Sequence, residues 1–358
     1  MELSSIIFAI ALFFLGFFFN KYFLLFLSKN NFQSLVDNQF DKPQAFHQKP
    51  TYRLGGLTIF ISLIFALLFL YSKSGISYFE YFSFCTLFFI LGFVDDLKIT
   101  IRPKFRLLIM IGFLIVLIIY NQFTIEAISL EYLENLMKID IFALIFVILC
   151  FLFIVNGCNL IDGFNGLLSI HALIIFFILL FINLGTAFYY GIPIESNFIN
   201  LFFYIILILF SFLIFNFPNA KMFLGDSGSY LVGTLIAIST INTNNYYPEI
   251  SSFFFCALLF YLFFEVFFSF FRKLLYARQS PLLPDKNHLH MLLYNQLLKS
   301  NKKMTANFKV SIYINLTYFF LMIPAIIFMN NTVFCRFYFF FLLASYTFFY
   351  GFLYKKTK

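Results

Sequence analysis

Residues 155–167 read VNGCNLIDGFNGL, with an apolar run at 141–155 leading in and another at 168–184 leading out. Asn156, Asn159, Asp162 and Asn165 fall at steps of three, divided by Gly157, Gly163 and Gly166. In a helical stretch that spacing lines all four polar side chains along one face. Polar groups at this density beside membrane-like sequence are costly unless they are paired or bind something. The plainer alternative is a polar turn at a bilayer surface, with the glycines only bending the chain. Either way the stretch fixes the kind of fold: apolar helices whose connections carry the polar chemistry.

The rest of the chain repeats that alternation. Of 358 residues, 62% are hydrophobic and 11% charged, where a soluble domain carries about a quarter charged residues. Apolar runs recur from end to end at 4–26, 54–71, 79–94, 105–120, 139–155, 165–184, 198–215, 229–241, 251–271, 310–329 and 334–353. The expected fold is an all-α polytopic membrane protein of about eleven transmembrane helices, forming one domain over residues 1–358. The runs lack the period-two alternation of a membrane barrel. The first run shows no small-residue cleavage pattern and is expected to remain as a helix.

Charge sets the orientation. One group of connections carries Lys29, Lys42, Lys49 and Arg53, then Lys98, Arg102, Lys104 and Arg106, then Lys221 and a long basic segment after Arg272. The opposite group has only Lys73, Lys138 and Arg336, beside six glutamates. The excess of basic residues places the first group and the C-terminus in the cytoplasm and the N-terminus outside. Each unusual polar cluster then falls on the cytoplasmic side, as for one active site open to a cytosolic substrate. The net charge of +8 follows from this sorting, and no nucleic-acid partner is expected. Five scattered cysteines without metal-site spacing are expected to pack in the interior. Glu265, alone in an apolar run, is either a core glutamate paired with a basic group such as Arg272 or a pocket residue.

Three further clusters could carry chemistry. Asp95 and Asp96 end the third run ahead of Lys98, Arg102, Lys104 and Arg106. Adjacent carboxylates on a helix diverge, so one can face a metal or substrate while the other faces a neighbour, and hard oxygen ligands suit Mg²⁺. Residues 219–229 read NAKMFLGDSGS, a glycine-rich turn presenting Asp226 before an apolar helix whose N-terminal amides favour phosphate. Residues 284–290 read PDKNHLH. His288 and His290, two apart, do not suit a helical zinc pair, but beside Lys286 they suit phosphate recognition. Arg53, in PTYRLGG at residues 50–56, adds a cation before a Gly-Gly turn. Carboxylates, cations and glycine-rich turns on one face point to phosphoryl transfer.

With these motifs the chain resembles the polyprenyl-phosphate N-acetylhexosamine-1-phosphate transferases, closest to the branch that initiates O-antigen and teichoic-acid-type glycans. The likeness runs in order through PTYRLGG, Asp95–Asp96, NGCNLIDGFNGL, NAKMFLGDSGSYLVG and SPLLPDKNHLHMLL. The resemblance implies transfer of an N-acetylhexosamine 1-phosphate from a UDP-sugar such as UDP-GlcNAc to undecaprenyl phosphate, releasing UMP. It implies Mg²⁺, with Mn²⁺ as a substitute, held by Asp226 and Asp162. Asp95, Asp96, Asp162, His288 and His290 would be catalytic, and Arg53, Lys98, Lys104, Asn156, Asn159, Asn165 and Lys286 would bind substrate. The setting implied is a bacterial cytoplasmic membrane, with room for a homodimer. Two departures bear on sugar preference: the family's PDRxHLHH has Lys286 and Met291 here, and its DGLDGL has Asn165 for an acid. The same chemistry on UDP-MurNAc-pentapeptide, a lipid-linked sugar transporter and an inactive membrane scaffold stand as alternatives.

Overall fold

The structure is a computed structural model, describing residues 3–30, 35–37, 50–99, 101–190, 197–277, 280 and 285–357. The helices are α1 (Leu3–Asn30), α2 (Gly55–Ser74), α3 (Phe79–Asp96), α4 (Pro103–Asn121), α5 (Glu131–Met137), α6 (Asp140–Ile161) and α7 (Leu167–Tyr190). There follow α8 (Asn197–Asn216), α9 (Gly225–Tyr246), α10 (Ser252–Leu258), α11 (Phe260–Phe271), α12 (Leu289–Leu298), α13 (Lys303–Ile327) and α14 (Thr332–Thr357). A π-helical turn, Arg272–Ala277, extends α11. Among the described residues the only sheet is a small one of β1 (Val36–Asp37), β2 (Thr51–Arg53) and β3 (Met222–Phe223). Strand β2 is central, antiparallel to β1 and parallel to β3, with Arg53 opposite Phe223. An all-α reading of the sequence does not contain this sheet.

Eight described helices are long and apolar enough to cross a membrane, and the α10–α11 pair makes a ninth if it counts as one span. That pair bends by 71°, where the sequence reads as a single apolar run at 251–271. The expected eleven spans require α3 and α9 as well. Helix α3 has the length but carries Glu80, Asp95 and Asp96. Helix α9 is 22 residues long and rich in Ser, Thr and Asn, and its residues 227–241 are buried without interruption. A helix walled by other helices meets no lipid, so nothing demands an apolar rim. The outermost helices show the opposite pattern: α1 and α14 leave many Phe, Ile and Leu side chains exposed, as a lipid-facing surface requires.

Helix α9 is the axis on which the site is built. Its N-terminal turn packs on α3, where Gly92 lies against the Asp226 carbonyl and a Cβ would collide with it. Helix α6 flanks the same turn, and Gly56 of α2 donates its N–H to the Leu224 carbonyl at 2.9 Å. The C-terminal ends of α3, α6 and α8 and the N-terminal ends of α2 and α9 therefore meet at one end of the bundle.

Candidate active site

At that meeting point a polar pocket of about 120 Å³ is lined by Asp37, Arg53, Asn159, Asp162, Phe164, Asn165, Asn216, Phe223 and Asp226, with Gly163 and Gly225. Five residues expected from the sequence meet here: Arg53, Asn159, Asp162, Asn165 and Asp226. Asp162 follows the last turn of α6 and its backbone N–H bonds to the Cys158 carbonyl at 3.2 Å. Asp226 stands in the first turn of α9, after Gly225 at φ 78°, a left-handed backbone that favours glycine. Asn159 bridges the two helices: its amide donates to Asp226 Oδ1 and to Ser229 Oγ, each at 2.9 Å. Opposite stands Arg53, whose Nε donates to Asp37 Oδ2 at 3.1 Å.

The electrostatics are unbalanced. Burial pushes the Asp162 carboxyl up to about 8, the Asp226 charge adds to the rise, and Arg53 opposes it. Burial alone would lower Arg53, yet Asp37 and Asp226 hold its guanidinium above the usual value. Among the described residues the lining sets these acids around a void with one arginine facing them, which favours a cation or a cation-bearing ligand. Among the described residues, no three His, Cys, Asp or Glu side chains stand close enough to form a metal site by themselves. The donor set nevertheless suits Mg²⁺, which is commonly held by one or two carboxylates and completed by substrate phosphates and water.

The remaining candidates lie elsewhere. Asp96 is 1% exposed and serves α9: its Oδ1 accepts the Asp226 N–H at 2.9 Å, and its Oδ2 accepts the Ser227 N–H at 2.9 Å and hydroxyl at 2.6 Å. It is an N-cap delivered from another helix. These α9 amides, expected to receive phosphate, are thus already occupied by a protein carboxylate. Asp95 pairs with Arg106 at 2.8 Å, so both members of the acidic pair face protein. Asn156 turns back to the Leu152 carbonyl at 2.7 Å. Lys98, Lys104 and Lys286 are exposed and do not line the pocket.

His288 and His290 are not among the residues lining the pocket either. Both are buried, at 1% and 0% exposure, around Glu265 at 1%. His288 Nδ1 lies 3.0 Å from Glu265 Oε2, His290 Nδ1 lies 3.5 Å from Glu265 Oε1, and the Leu289 N–H donates to Oε1 at 3.2 Å. The rings stack with centroids 5.4 Å apart. Burial holds the His290 imidazole below its ordinary value, against the pull of Glu265. Glu265 therefore pairs with the histidines, and Arg272 instead pairs with Asp285 at 2.6 Å. The knot meets the pocket wall at Phe164, whose ring lies 5.7 Å from that of His290. Arg278 and residues 281–284 of the expected motif, like Lys42 and Lys49, lie outside the described residues.

The sequence reading missed Asp37, Asn216 and a polar stripe on α13. Asn216 accepts the Gly166 N–H at 2.7 Å and donates to the Met222 carbonyl at 2.9 Å. On α13, Asn307 accepts the Asn165 N–H, Ser311 donates to the Asn165 carbonyl, and Asn315 donates to the Leu167 carbonyl. Their i, i+4 spacing in an apolar helix was the available signal. Asp37 had none, since its part in the pocket depends on the strand pairing.

Pocket and bundle together place acidic connections at one end of a bundle of apolar helices. Residues 78–244 match the model of glycosyl transferase family 4. The undecaprenyl-phosphate alpha-N-acetylglucosaminyl 1-phosphate transferase of Thermotoga maritima is 25% identical over 289 residues, 80% of each chain. The probable undecaprenyl-phosphate N-acetylglucosaminyl 1-phosphate transferase of Bacillus subtilis is 26% identical over 70% of this chain and 68% of its own. The phospho-N-acetylmuramoyl-pentapeptide-transferase of Oceanobacillus iheyensis is 32% identical over 61% of this chain and 69% of its own. The chain belongs to glycosyl transferase family 4. It is a multi-pass membrane protein, consistent with the inner membrane of a bacterium.

Proposed function

We propose that the protein transfers an N-acetylhexosamine 1-phosphate from a UDP-sugar, UDP-GlcNAc or a close relative, to undecaprenyl phosphate. The product would be a diphosphate-linked lipid sugar that initiates a cell-envelope polysaccharide of the O-antigen or teichoic-acid type. The observation that carries this reading is the convergence of Asp162, Asp226 and Arg53 on one pocket, in a family whose relatives include enzymes named for that transfer. A phosphate oxygen of the lipid attacks the β-phosphorus of the nucleotide sugar. One P–O bond forms, the bond to the α-phosphate oxygen breaks, and UMP leaves.

Each residue has a task that follows from its position. Arg53 supplies positive charge to the diphosphate while Asp37 fixes the guanidinium. Asn159 holds the Asp226 carboxylate toward the pocket, and Asp96 fixes the turn that carries Asp226. Phe164 and Phe223 provide apolar wall. Asp226 and Asp162 would hold Mg²⁺, which supplies neutralisation of diphosphate charge when bound. Asp95 acts by anchoring Arg106, and His288 and His290 by supporting the wall behind Phe164. Eleven spans with the pocket in the cytoplasm and the N-terminus outside complete the reading.

A second reading, the same chemistry on UDP-MurNAc-pentapeptide, is favoured by the phospho-N-acetylmuramoyl-pentapeptide-transferase of O. iheyensis at 32% identity. UMP release from purified protein, measured with undecaprenyl phosphate and each nucleotide sugar in turn, separates them. Release with UDP-N-acetylhexosamines that requires both lipid and Mg²⁺ is expected. Release only with UDP-MurNAc-pentapeptide selects the second reading, and no release from folded protein overturns both in favour of a transporter or scaffold.

A further inference from the structure

The end of the bundle opposite the carboxylate pocket contains a second cavity, of about 210 Å³. It lies between α6, α9 and α10 under the loop that leads into α5. On α9 its wall is Ala237, Thr240, Ile241 and Asn244, spaced i, i+3, i+4, i+7 on one face. At 1.5 Å per residue these four cover about 10 Å along the helix, within the half-thickness of about 15 Å of a bilayer's hydrocarbon core. The deep part is apolar, with Ile154, Ala237 and Leu259. The part near the helix end is not: Thr240 and Asn244 line it, at 3% and 5% exposure.

Both of these residues carry an oxygen with no hydrogen-bond partner among the described residues, Thr240 Oγ1 and Asn244 Oδ1. Their setting makes this informative. Thr234 and Thr243, on the same helix, donate to carbonyls four residues back at 2.8 and 2.7 Å, and Thr240 makes no such bond. The Asn244 amide donates to the Ala127 carbonyl at 2.9 Å, which fixes its side chain and leaves Oδ1 as an acceptor. Buried polar atoms normally find a partner. An apolar cavity of this size, with Thr240 and Asn244 on the side toward the helix end, has the polarity profile of one lipid chain beneath its head group.

We infer that this cavity is a lipid site, independent of the transfer reaction. It takes one acyl chain of a bilayer lipid from the leaflet opposite the carboxylate pocket. The chain runs to mid-membrane depth beside Ile154, and a hydroxyl or ammonium of the head group donates to Asn244 while Thr240 donates to the ester region. The committed ligand is a phospholipid bearing such a donor, with phosphatidylethanolamine as the probe.

The chain contains no Trp, so a single introduced one reports on the cavity. Phe146→Trp places it in the wall, and Ile145→Trp, at a position 50% exposed, reports bulk lipid. Both are reconstituted in phosphatidylethanolamine vesicles with brominated chains. Quenching at position 146 at least equal to that at 145 is expected. Adding Ala237→Phe, or Cys150→Phe should the first fail to fold, should cut quenching at 146 at least twofold and leave 145 unchanged. Thr240→Val with Asn244→Leu should remove any preference at 146 for phosphatidylethanolamine over phosphatidylcholine, whose head group has no donor. Weak quenching at 146, or quenching indifferent to the blocking residue, overturns the inference. So does its loss on adding undecaprenyl phosphate, which would make the occupant the substrate's own tail.

Discussion

Two acid-bearing clusters stand within one side chain of each other and are built on opposite principles. In the pocket, Asp162 and Asp226 are half-buried around a void, with Arg53 the cation facing them in the wall. Behind Phe164, Glu265 is sealed at 1% exposure with an imidazole on each oxygen. Among the described residues lining the pocket, carboxylates outnumber the single arginine. The knot satisfies its acid internally, with an imidazole against each carboxylate oxygen. Motifs of similar polarity thus separate into acids around a void and an acid enclosed by its neighbours.

Substitutions can break or sharpen that contrast. Asp226→Asn keeps the shape of the side chain and removes its charge. It should lower turnover about a thousand-fold with little change in melting, followed by a thiol-reactive dye on the five native cysteines. Near-normal UMP release would remove Asp226 from the chemistry. For Glu265→Ala the effect should be on stability, a loss of about 3–5 kcal/mol because two buried imidazoles lose their acceptor. The protein that remains folded should keep its KM for the nucleotide sugar, and lost turnover at unchanged melting temperature would instead bring the knot into the reaction.

Asp96→Asn tests a residue that bridges the two kinds of role. As a cap on α9 it should cost about 1–2 kcal/mol, with turnover falling in parallel with stability. A large loss of turnover in a fully stable protein would show that Asp96 itself acts chemically. Asp37→Asn should give the smallest effect. Its pair with Arg53 is partly exposed, at 27% and 10%, and worth up to about 1 kcal/mol. The measurable result is a rise in KM for the nucleotide sugar of up to about fivefold at unchanged kcat. A change in kcat alone would argue against a positioning role.

Much of this was legible in the chain. The Asn and Asp steps of residues 156–165 and the glycine-rich turn at Asp226 marked two walls of the pocket, and Arg53 marked a third. What spacing along one helix cannot give is the neighbour that each face meets. Asp95 and Asp96 diverge by about 100°, but only packing determined that one meets Arg106 and the other the start of α9. The histidines read as a phosphate-binding pair from their type, and spacing alone does not show that the glutamate some two dozen residues earlier lies against both.

Composition determined that this is a helical membrane protein, because runs of Phe, Ile and Leu at this length have no stable alternative in water. It could not mark α9 as the central helix, since a helix buried among others is free of the apolar rule that lipid imposes on its neighbours. Nor could it bring Asp37 to Arg53, which required strands formed from three separate stretches of chain. Periodicity is a property of one element and was readable from the chain. The charge balance of a pocket depends on which elements meet, and only the tertiary structure decided that.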